Sequence, residues 1–132
     1  MQERIRGLHH VGLPTDCMDE TIAFYQSFGA KIIFEKMDED GGRPIRVTLL
    51  DFAGLVVECY ERTETPKNTG AIEHLAFRVE GVEELYRICK EKGYEMMADC
   101  AESIGISTYW PKNARWFIVY GPNREKIEFC QE

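Results

Sequence analysis

Two stretches of the chain repeat one pattern of apolar and polar positions. Set on each other from His10 and His74, HVGLPTDCMDETIAFYQSFGAKII lies on HLAFRVEGVEELYRICKEKGYEMM without gaps. Acidic Asp16, Asp19 and Glu20 meet Glu80, Glu83 and Glu84, apolar Met18 and Ile22 meet Val82 and Tyr86, and Gly29 meets Gly93. Few residues are identical. What recurs is the order of properties, the mark of a duplicated unit.

Each copy reads the same way locally. Leu75, Phe77 and Val79 alternate with His74, Ala76 and Arg78, the period of a strand near 71–79 with one buried face, and residues 7–15 match it. Helices follow near 17–28 and 81–92. Met18, Ile22 and Tyr25 make the apolar stripe of the first, and Val82, Leu85, Tyr86, Ile88 and Cys89 that of the second. Asp16 is the expected cap of the first helix, and Gly29 and Gly93 the expected stops. Strands are expected near 30–36, 44–51 and 55–61, and again near 94–98, 114–120 and 125–131. The turns DEDGG (38–42), FAG (52–54) and GPNR (121–124) punctuate them.

The expected fold class is therefore α+β, with two tandem βαβββ modules forming one domain over 1–132. Module one covers about 7–61 and module two 71–131, joined by a linker over 62–70 rich in Thr, Pro, Lys and Asn. Residues 99–113 show no regular pattern. A segment that long is either a binding or lid loop, or a surface excursion tied down by Tyr109 and Trp110.

Composition narrows the function classes. A chain of 132 residues with 44% hydrophobic content buries enough surface to fold without disulfides or structural metals. Its net charge of −7, with no basic cluster, excludes nucleic acid and anionic membranes as expected partners. The five cysteines form no C-x-x-C pair, the opening MQERIRGLHH has no apolar signal core, and no run approaches a membrane span. A reduced, cytoplasmic protein is expected.

The candidate chemistry follows from the repeat. His10 and His74 occupy one place in the two copies, and the last strands, LVVECYE and EKIEFCQ, set Glu58 on Glu128. Where Val11, Leu13, Val57, Ile127 and Phe129 pack beneath a helix, strand alternation turns His10, Glu58, His74 and Glu128 to the opposite face. Any one of these alone is usually structural. Two histidines and two glutamates at matching positions with matching parity point instead to a divalent metal, with nickel, cobalt, zinc, iron and manganese all compatible. Two carboxylates offset the ion's charge, and four ligands of an octahedral ion leave two positions for substrate or water. His9 has the opposite parity and Glu73 for its counterpart, so it reads as structural.

These residues resemble the glyoxalase I / bleomycin-resistance group of the vicinal oxygen chelate superfamily. The likeness spans nearly the whole chain and rests on HHVGLPTDCMDETIAFY, LVVECYE, EHLAFRVEGVEEL and YGPNREKIEFCQE. It implies the vicinal oxygen chelate fold, a curved mixed sheet around a metal cleft, with His10, Glu58, His74 and Glu128 as ligands. It also implies a homodimer with metal sites at the subunit interface. Extradiol dioxygenases and fosfomycin-modifying relatives use two His and one Glu. Epimerases of methylmalonyl thioesters commonly carry Gln where Glu58 stands, and bleomycin-binding proteins lack the set.

The four-ligand set is similar to that of bacterial glyoxalase I, a lactoylglutathione lyase. That resemblance implies an isomerase or lyase acting on a 2-hydroxycarbonyl or hemithioacetal through an enediolate, with Glu128 as base and Glu58 across the metal. Arg78, Lys126, Tyr109 and Trp110 are the candidate substrate-binding residues, with Arg46 and Arg115 as further cations. The glutathione-binding arginine and asparagine of that group fall here on Pro14 and Arg62, so glutathione itself is not implied. The alternatives are a metal-dependent epimerase of an acyl thioester or keto-sugar, and a non-catalytic small-molecule binding or resistance protein.

Overall fold

A computed structural model describes residues 2–108 and 110–132. The chain divides into two compact units, one through Pro66 and the other Lys67–Glu132. Each carries one helix and a four-stranded mixed sheet. This is the βαβββ arrangement expected.

In the first unit the strands are β1 (Val11–Thr15), β2 (Lys31–Asp40), β3 (Arg43–Phe52) and β4 (Leu55–Glu61), with α1 (Met18–Ser27) after β1. Their order is β1-β4-β3-β2. The β2–β3–β4 meander is antiparallel, and α1 provides the crossover that lets β1 pair with β4 in parallel. The hairpin turns are tight: Gly41 and Gly42 both have positive φ, as do Ala53 and Gly54. Such turns match the right-handed twist of the flanking strands. Leu50, Val57, Cys59, Tyr25 and Phe52 are buried between sheet and helix, each large apolar side chain contributing about 1.5–3 kcal/mol.

The start of α1 corrects one expectation. The N-cap position is Cys17 rather than Asp16, and its side chain makes no capping bond. Three hydroxyl contacts organise the turn instead. Cys17 N–H donates to Thr15 Oγ1 (3.0 Å), Thr21 Oγ1 donates to the Cys17 carbonyl (2.9 Å), and the two threonine hydroxyls bond each other (2.9 Å). Polar groups buried this way are satisfied and hold β1 against α1. Gly29, with φ +94°, ends the helix as expected.

The second unit repeats the order with β5 (Leu75–Arg78), α2 (Val82–Glu91), β6 (Gly105–Ser107), β7 (Ala114–Tyr120) and β8 (Lys126–Gln131), arranged β5-β8-β7-β6. Val82, Phe117, Val119, Ile127 and Phe129 form its core. The strand expected near 94–98 is absent. Met96 makes a single bridge to Val119, a 3₁₀ turn covers Ala98–Cys100, and the edge strand is β6. The supposedly irregular 99–113 segment thus supplies the fourth strand. All five cysteines are thiols, and no helix among the described residues is long and apolar enough to cross a membrane.

Candidate metal centre

Sheet register places the histidines and glutamates. Across the parallel β1–β4 pair Gly12 stands opposite Glu58, and across β5–β8 Ala76 stands opposite Glu128. His10 and His74 lie two residues before those small partners, just ahead of the strands, and therefore on the same face. His10 Nε2 is 3.6 Å from Glu58 Oε2, and His74 Nε2 is 3.0 Å from Glu128 Oε2. The neighbours with opposite parity, Val57, Cys59, Ile127 and Phe129, are buried.

The donor atoms fit a metal. Two ligand atoms each about 2.1 Å from one ion, at 90–109°, lie about 3.0–3.4 Å apart. The second-unit pair falls at the near end of that range and the first-unit pair just beyond it. Imidazole nitrogen with carboxylate oxygen suits borderline and hard divalent ions. Among the described residues no group of three or more His, Cys, Asp or Glu is gathered as a metal cluster. Each unit presents one His–Glu pair.

The pairs differ in shelter. Glu128 is 14% exposed and Glu58 36%. A cleft of about 390 Å³ opens beside the sheltered pair, lined by His74, Ala76, Arg78, Trp110, Glu128 and Cys130. Arg78 and Trp110, two of the expected substrate-binding residues, thus share a cavity with His74 and Glu128. Burial, reinforced by the charge of Glu128, pushes the Cys130 thiol above its usual range, so it stays protonated at neutral pH. A second cleft of about 620 Å³ shares Arg78 and Glu132 with the first and adds Lys112.

The other candidate cations are engaged. Arg46 pairs with Asp19 at 2.5 Å, Arg115 with Glu83, and Lys126 with Glu73. Arg62 pairs with Asp40 at 2.8 Å and lies over the Tyr60 ring. Tyr109 lies outside the described residues.

Sequence reasoning missed the residues immediately before each histidine. Glu73 Oε2 accepts from His74 Nδ1 at 2.5 Å, and Lys126 on its other oxygen, with His74, holds the carboxyl below the usual range. His9, read as structural, bonds His10 Nδ1 through its own Nδ1 at 2.7 Å. Their adjacency and shared place in the repeat were the available signal.

Comparison with known proteins agrees with the fold. No curated protein sequence matches the chain. Among solved structures, the genomically encoded fosfomycin resistance protein FosX from Listeria monocytogenes, complexed with Mn(II) and sulfate, is 23% identical. It superimposes with a TM-score of 0.73 over 97% of this chain and 93% of that one. A glyoxalase family protein from Enterococcus faecalis is 19% identical with a TM-score of 0.73, over 96% and 98% of the two chains. A third, a Glu-to-Gln mutant of the Listeria FosX complexed with Mn(II) and 1S,2S-dihydroxypropylphosphonic acid, is 23% identical with a TM-score of 0.72, over 95% and 91%. These likenesses show the shared fold. A family model matches residues 7–129, the stretch that holds both βαβββ units and both His–Glu pairs, and the chain therefore belongs to the Glyoxalase/Bleomycin resistance protein/Dioxygenase superfamily.

Proposed function

We propose that the chain is a metal-dependent enzyme of the glyoxalase I type, in which His10, Glu58, His74 and Glu128 hold one divalent ion. The observation that carries the reading is the pair of Nε2–Oε2 spacings, 3.6 and 3.0 Å, at equivalent places in the two units. Structural relatives complexed with Mn(II) support a divalent ion in this fold. Bound there, the metal supplies Lewis acidity toward adjacent carbonyl and hydroxyl oxygens of a substrate.

The chain's own groups do the rest. In this reading Glu128, the more sheltered carboxylate, takes a proton from a carbon next to a carbonyl and returns it to the neighbouring carbon. Glu58 contributes charge and coordination. Arg78, in the same cleft, fits an anionic or strongly polar handle on the substrate, and Trp110 covers its apolar part. The adjoining cleft gives an extended thiol conjugate room beyond the reacting atoms. The substrate class is a 2-hydroxycarbonyl or hemithioacetal.

A second reading has one observation in its favour. Relatives of this fold have been solved with sulfate or a phosphonate diol, and Arg78 beside the His74–Glu128 pair suits a phosphonate. That substrate class would make the enzyme a resistance hydrolase. A homodimer fits the outward side chains of β2, where Ile33, Phe34 and Met37 are more than half exposed.

The deciding experiment measures bound metal after purification without chelator, then turnover on a panel. That panel holds hemithioacetals of several thiols, acyl thioesters, keto-sugars and an epoxyphosphonate. Solvent deuterium entering a hemithioacetal product supports the glyoxalase reading. Opening of the epoxide alone moves the assignment to the second. Less than a tenth of an equivalent of metal, unchanged in His74→Ala, overturns both.

A further inference from the structure

His74 meets a carboxylate at each ring nitrogen, and β8 supplies one of them and the lysine that holds the other. β8 carries Glu128, which faces Nε2 at 3.0 Å. Two residues earlier the same strand carries Lys126, whose ammonium binds the Glu73 Oε1 while Glu73 Oε2 takes Nδ1 of His74. Lys126 is only 17% exposed, against 46% for Glu73. The relay is thus anchored on the sheet side.

We propose that Glu73, held by Lys126, is a positioning residue that fixes the tautomer of His74 and so presents its Nε2 lone pair to the metal. The inference rests on the reading of His74 and Glu128 as ligands. A carboxylate only accepts hydrogen bonds, so the Glu73 contact requires the proton on Nδ1. In the neutral ring Nε2 then bears a lone pair directed at the Glu128 carboxylate. Two acceptors facing each other at 3.0 Å repel, and a cation held by both atoms would relieve that repulsion. A carboxylate on the outer nitrogen also makes the imidazole a stronger donor and sets the ring plane.

The first unit carries a weaker form of the device. His9 occupies the place of Glu73 and meets His10 Nδ1 at 2.7 Å. A neutral histidine either donates or accepts, so it does not dictate which nitrogen of His10 carries the proton. The two halves are therefore unequal: the His74 side is preorganised for metal and the His10 side is not.

Two readouts test this. The first needs no metal: ¹⁵N spectra of the metal-free protein at pH about 8, well above the ordinary imidazole value, report the His74 tautomer directly. The expected result is Nδ1–H in the wild type, a shift toward Nε2–H in Glu73→Ala, and retention of Nδ1–H in Glu73→Gln, whose amide oxygen still accepts. The second is Mn(II) and Zn(II) affinity by competition with a chromophoric chelator. Glu73→Ala should weaken binding roughly 10–100-fold, the usual effect of removing an outer partner, with partial rescue in Glu73→Gln and a smaller loss in Lys126→Met. Glu73 is half exposed, so these variants should fold, which circular dichroism checks. Unchanged tautomer and affinity in Glu73→Ala overturn the inference and leave the ligand reading standing. A wild-type protein that binds neither ion overturns both.

Discussion

Ala76 on β5 is the direct cross-strand partner of Glu128 on β8, and its single methyl leaves the carboxylate open to the cleft. The first unit does the same with no side chain at all. Gly12 stands opposite Glu58, and a Cβ there would already come within 3.9 Å of Glu58 Oε1 and 3.6 Å of Tyr60. Small residues thus stand opposite both glutamates. Ala76→Leu should fill the cleft beside His74, lowering metal uptake and turnover at least tenfold. Because Ala76 is exposed, thermal stability should move by no more than about 0.5 kcal/mol. Metal content and a melting curve on one preparation read both effects. A variant that binds and turns over normally would show that the cleft is not the site.

Removing ligands should expose the inequality of the two pairs. The His74–Glu128 pair is closer and more sheltered than His10–Glu58. His74→Ala should cut metal affinity by more than the roughly 100-fold that marks the upper end for outer partners. His10→Ala should cut it less. Chelator competition on both variants gives the order directly, and equal losses would argue that the shorter contact confers no advantage.

The βαβββ repeat was legible because it is written in periodicity, which survives the divergence of nearly every individual residue. The same parity put the histidine and the glutamate of each unit on one face of that unit's own sheet. Less local features were hidden. β6 is only three residues long, and Gly105-Ile106-Ser107 carries no alternation to distinguish it from the loop around it, so the edge strand was expected about ten residues too early. Asp16 was a sound cap by composition, yet the N-cap falls at Cys17, where the hydroxyls of buried Thr15 and Thr21 organise the turn. Arg124, the last residue of the GPNR turn, is a further case. It adopts φ +65° and is held by Glu95 at 2.5 Å and the Tyr120 ring at 4.0 Å. Glu95 is distant in sequence, and nothing beside Arg124 announces it.

The short β6–β7 pairing leads to a stability prediction. Gly105 is the cross-strand partner of Trp116, and a Cβ on it would overlap the indole, 2.6 Å from Cζ2. The ring cannot simply swing aside, since its Nε1–H donates to Ser107 Oγ at 2.9 Å. Gly105→Ala should therefore cost about 1–3 kcal/mol, the range for overpacking, and detach β6 from the sheet. Denaturant melts give the first quantity, and faster amide exchange at Ile106 and Ser107 reports the second. A neutral substitution would mean that the indole has another place to go.

Cys89 gives a pH dependence with a definite sign. It sits on the inner face of α2, 1% exposed, and burial pushes its thiol up to about 11 from an ordinary value of 9.0. The folded state thus holds the proton more tightly than the unfolded chain does. Between these values the native protein binds more protons, so stability falls as pH rises. The contribution is complete below pH 9 and lost by about pH 11, at most about 3 kcal/mol for a shift of that size. Urea midpoints from neutral pH to about 11 should fall more steeply for the wild type than for Cys89→Ala, because other alkaline titrations are common to both. The variant starts lower, having lost a packed sulfur, and the two curves should converge. Parallel curves would mean that the thiolate is solvated in the native state, and thiol-specific reagents would then modify Cys89 without unfolding.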